Sequence, residues 1–90
     1  MNKEKTESSL FENIVLAAGE TTKLKCYIDL SASNSCFVMM TVAEVNGIKP
    51  VTMVEQEIFG DRVDVTVKNI NTERYCGDIT IHLTPAPEYL

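Results

Sequence analysis

Apolar and polar positions alternate with a period of two along most of this chain, the spacing of half-buried strands. In residues 21–30, Leu24, Cys26, Ile28 and Leu30 share one face, with Lys23, Lys25, Tyr27 and Asp29 on the other. Residues 62–68 put Val63, Val65 and Val67 inward and Arg62, Asp64, Thr66 and Lys68 outward. A last strand over 75–83 places Tyr75, Ile79, Ile81 and Leu83 against Asp78, Thr80 and His82. Residues 51–59 continue the series, with acids at Glu55 and Glu57, although 51–58 also fit a short helix. The run CFVMMTVAEV, 36–45, is apolar on both faces until Glu44, which predicts a central strand covered on two sides.

Turn formers separate these segments. Ala18-Gly19-Glu20 closes the apolar run 11–17, and small residues over 31–35 make a loop. Asn46-Gly47 favours a two-residue type I′ turn, whose central residues both need positive φ. The implied hairpin register sets Glu44 across from Lys49 and Pro50 opposite Ala43. Proline has no N–H, so Pro50 suits an edge strand or a point where the chain leaves the sheet. Residues 1–10 are expected as a flexible N-terminal arm, 11–84 as the domain and 85–90 as an extended tail. The fold class is all-β: a single antiparallel β-sandwich of six to seven strands, jelly-roll or immunoglobulin-like. Alternation does not encode which.

Ninety residues suit one domain. Thirteen acids against eight bases give a net charge of −5 and a pI near 4.7. That balance argues against nucleic-acid binding, which gathers Lys and Arg on one face. Apolar stretches are too short to span a bilayer as a helix, so no membrane partner is expected. Polar residues after Met1 show no apolar signal region.

Candidate chemistry is sparse. Cys26, Cys36 and Cys76 lack metal-site spacing; with His82 they would complete a zinc set on paper only. Cys26 reads as a core thiol, whereas Cys36 and Cys76, at strand starts, are candidates for a disulfide or cross-link within or between chains. His82, the one histidine, faces outward and sits beside no nucleophile motif. No cofactor and no enzymatic activity are expected. Glu55, Glu57, Asp61 and Asp64 form the densest charge cluster, a candidate acidic surface for a protein partner; the plainer reading is a solvated edge that resists aggregation. Met39, Met40 and Met53 read as core filler, and without Trp the chain offers little for stacking bases or sugars.

Residues 45–83 run as an Asn-Gly hairpin, a strand, a Gly turn, an alternating V-x-V-x-V strand, Asn-Ile and a closing G-x-I-x-I-x-L-like strand. This order resembles the jelly-roll subunits of endospore appendages, the fibres on Bacillus-type spores, whereas the first strand pair, around LAAGETTKL, resembles equally well part of a generic bacterial immunoglobulin-like module. The appendage resemblance implies self-assembly by sheet augmentation, with an N-terminal arm locked into a neighbour by cysteines. The arm here has no cysteine, so covalent locking does not carry over. The leading expectation is thus a structural subunit that associates with itself through the arm and a sheet edge around Glu44, Lys49 and Pro50. It would sit on a cell or spore surface. The alternative is a small acidic cytoplasmic binding module or inhibitor acting on another protein.

Overall fold

Strands form where the alternation places them. The computed structural model describes residues 6–28 and 35–85, and among them holds six strands and no helix. They are β1 (Glu7–Leu16), β2 (Thr21–Tyr27), β3 (Cys36–Val42), β4 (Val51–Ile58), β5 (Arg62–Asn69) and β6 (Tyr75–Pro85). One sheet has the order β1-β6-β3, the other β2-β5-β4, and every pairing is antiparallel. First pairs with last, second with fifth, and β3 passes to β4 across a corner. This nested order is the winding of a jelly roll, in a β-sandwich of two three-stranded sheets.

The inward side chains of the two middle strands make the centre of the core. Val63, Val65 and Val67 of β5 and Ile79, Ile81 and Leu83 of β6 are at most 1% exposed. Leu16, Leu24, Cys26, Val51 and Tyr75 extend the same cluster. Residues 51–58 form β4 rather than a helix, because they have a strand partner along most of β5.

Three boundaries differ from expectation. β1 opens at Glu7, so residues 7–10 of the expected arm pair with Leu83, His82, Ile81 and Thr80; backbone pairing needs no apolar side chain, and eleven-residue β6 is long enough to hold both neighbours. Residues 1–5 and 29–34 lie outside the described residues. So does 86–90, while Pro85 of the expected tail ends β6. At Asn46-Gly47 the turn forms with both φ positive, 54° and 78°, and closes the Val45–Ile48 bridge. The ladder goes no further. β3 ends at Val42 and β4 starts at Val51 in the opposite sheet, so Glu44–Lys49 and Ala43–Pro50 are not paired strand positions. Pro50 is buried at the bend, its carbonyl accepting the Ile70 N–H at 2.8 Å.

One buried amide ties this end of the sandwich together. Asn69 is fully buried; its Nδ2 donates to the carbonyls of Leu16 (2.9 Å), Ala17 (3.2 Å) and Glu73 (2.9 Å), and its Oδ1 accepts the Asn71 N–H at 2.9 Å. Its backbone bonds to Gly19 and Glu20 across the β1–β2 turn. Next to it, the Tyr75 hydroxyl donates to the Asp78 carbonyl at 2.7 Å, and its ring covers Gly77, where an added Cβ would lie 2.9 Å from that hydroxyl. Asn69→Leu leaves several buried groups without partners and should cost about 3 kcal/mol or more. Gly77→Ala forces the ring aside, for about 1–3 kcal/mol. Urea unfolding midpoints check both.

Candidate functional site

The two outer faces differ in chemistry. On sheet β2-β5-β4, Lys23 and Lys25 project from β2, Arg62, Asp64, Thr66 and Lys68 from β5, and Glu55 and Glu57 from β4. Lys23 Nζ reaches Glu57 at 3.5 Å. Arg62 Nε donates to Asp64 at 2.7 Å and stacks 4.4 Å over the Phe59 ring. Three of the four cluster acids therefore sit in a face of nearly balanced charge, and Asp64 is buried beside its arginine. Asp61 lies apart, exposed in the β4–β5 turn, where its carbonyl accepts the Ile28 N–H. The four acids do not form one acidic patch.

Sheet β1-β6-β3 shows a mostly uncharged face. Across it run the rows Ser8–His82–Met39 and Leu10–Thr80–Thr41, with Thr84 beside Phe37. Ser8 Oγ lies 2.8 Å from His82 Nδ1, Thr41 Oγ1 lies 2.9 Å from Nε2, and Thr6 and Thr84 hydroxyls meet at 2.7 Å. His82 thus faces outward as expected, but between two hydroxyls that sequence spacing could not bring to it. The Ser8–His82 distance suits a nucleophile and base, yet a hydroxyl stands where a carboxylate would orient the ring. Concavities of about 290 Å³ (Val45, Asn46, Ile48, Lys49, Pro50, Ile70, Asn71) and about 400 Å³ (Glu7, Tyr27, Ile28, Asp61) lie elsewhere. The row ties three strands together.

Each three-stranded sheet has two edge strands, and three of the four carry a feature that discourages further pairing. β1 has a bulge between Phe11 and Ile14, with Asn13 at φ 58° and its N–H held by Asp78 at 3.0 Å. β2 carries Lys23 and Lys25. β4 has a bulge at Val54 and carries Glu55 and Glu57. β3 has neither a charge nor a break in its ladder, and it exposes Phe37 (61%) and Met39 (68%). The expectation of a covered central strand over 36–45 is corrected: β3 is an edge, its even-numbered residues inward and its odd-numbered ones largely exposed. The expected assembly edge at Glu44, Lys49 and Pro50 is a corner between sheets. An unbroken apolar run suits a covered strand and an unguarded edge equally, so strand order was needed to separate them.

Cys36 and Cys76 do not meet. Cys36 lies opposite Pro85, and Cys76 nine residues back along β6, about 30 Å away at ~3.3 Å per residue. A Cys36–Cys76 bridge within one chain is therefore excluded. All three are free thiols, and among the described residues no group of three His, Cys, Asp or Glu could hold a metal. Burial pushes the Cys26 thiol up from 9.0 to about 11, with the charges of Asp64 and Cys36 adding to it. Burial also raises Cys36, opposed by a backbone hydrogen bond with Thr84.

Ellman's reagent should therefore modify exposed Cys76 first, Cys36 more slowly and Cys26 only on unfolding. A folded-state pKa raised above the unfolded one stabilises the fold at neutral pH and loses that contribution as pH climbs from 9 toward 11. Denaturant titrations across that window should show a steeper decline for the parent chain than for Cys26→Ala. Comparison with protein-family models, curated proteins and solved structures finds no match to this chain.

Proposed function

We propose that this chain is a non-enzymatic structural subunit that associates with copies of itself through a sheet edge. The observation that supports this best is the contrast among edges: β1, β2 and β4 carry bulges or like charges, and β3 carries neither while exposing Phe37 and Met39. Assembly on a spore or cell surface, and the likeness of residues 45–83 to endospore-appendage subunits, belong to the same reading. A second reading, a small binding module for another protein, draws on the exposed Val45, Ile48 and Ile70 around the corner concavity.

Light scattering after size exclusion, over a range of concentrations and with and without reductant, separates the two. Self-association gives a mass above 10.0 kDa that rises with concentration. A reductant-sensitive part of that mass is expected to disappear in Cys76→Ser, since Cys76 is the exposed thiol. A 10.0 kDa species at every concentration removes the subunit reading in favour of the binding module.

A further inference from the structure

We infer that β3 pairs with β3 of a second copy, antiparallel about a two-fold axis at Met39, so that the two sheets join as β1-β6-β3 and β3-β6-β1. This rests on the self-association reading and names its partner strand. Among the described residues, no strand lies on the far side of β3. Its outer row of peptide groups therefore presents donors and acceptors to an incoming strand.

The strand's own sequence favours a copy of itself. Full antiparallel overlap sets Met39 against Met39, Phe37 against Thr41, Val38 against Met40 and Cys36 against Val42, following the strand bounds. The bulky phenyl ring meets a short side chain, sulfur meets sulfur on the axis, and no charge is opposed. The same operation on β2 sets Lys23 against Lys25, a destabilising pair of like charges. On β4 it sets Glu55 against Val54 and so brings the Glu55 residues of both copies together at a bulge, and on β1 the bulge at Asn13 interrupts the ladder. A two-fold contact is self-complementary and closes at two copies.

The test uses the full chain in three forms. Met39→Lys opposes two ammonium groups at the axis and should weaken association ~10-fold or more. Met39→Leu should preserve it. At 68% exposure neither change should disturb folding, which circular dichroism and the urea midpoint verify. Directly opposed residues in antiparallel strands have Cα atoms about 4.5 or 5.5 Å apart, within the reach of a disulfide. Met39→Cys in a Cys76→Ser background should thus give an oxidised dimer linked at the substituted position, read by peptide mapping. If the chain associates but Met39→Lys associates equally well and no such link forms, another surface is used. The pairing is then overturned while self-association stands. If the parent chain is monomeric throughout, both fall.

Discussion

The inward faces of β5 and β6 are committed to each other. Val63, Val65 and Val67 on one side and Ile79, Ile81 and Leu83 on the other are almost wholly removed from water, and a 90-residue chain has few other side chains as deeply placed. Each middle strand then has room for one neighbour on either side. Two sheets of three strands follow, and with them four edges. A small sandwich cannot avoid this: closing into a barrel would remove the edges, but six short strands here remain as two layers. Managing edges is therefore the main physical problem the rest of the molecule faces.

Polar groups solve part of it locally. Asn69 anchors the end of β5 to the β1–β2 turn and to the stretch before β6, supplying carbonyl partners that no strand reaches. At the opposite end of sheet β1-β6-β3, hydroxyls and the His82 ring lace β1, β6 and β3 across the outer surface. Both devices work through atoms far apart in sequence, separated by 53 residues for Asn69–Leu16 and 74 for Ser8–His82. Neither leaves a local signature.

That separation explains what the sequence could convey. Period-two alternation found β5 and β6 almost residue for residue, because each is covered on one face only and its outward positions take polar side chains. Turn chemistry placed Gly19 and the Asn46-Gly47 pair, whose φ values are local properties. Neighbours are not local. The Asn-Gly turn was legible but not the parting of the chain beyond it, since whether Ala43 and Pro50 pair depends on which sheet each arm joins. β3 misled for a related reason: apolar residues on both faces signal burial only if something covers both. The acids of 55–64 looked like one patch because the lysines that offset them come from β2, three or four tens of residues away in the chain.

A symmetric strand pair also bears on how far assembly could extend. Once two copies close about Met39, β3 is no longer an edge, and growth into a fibre would need a contact of a different kind. The remaining edges offer charge complementarity rather than self-complementarity, with lysines on β2 and glutamates on β4. Such a contact is heterologous, and heterologous contacts propagate unless their rotation closes a ring. Yet Lys23 already reaches Glu57 within the chain, and the bulge at Val54 interrupts the β4 ladder. Both features weaken this contact relative to β3. The broad face of the joined sheet is the other surface available: pairing would bring two copies of Phe37, Met39 and Leu10 onto one mostly uncharged surface.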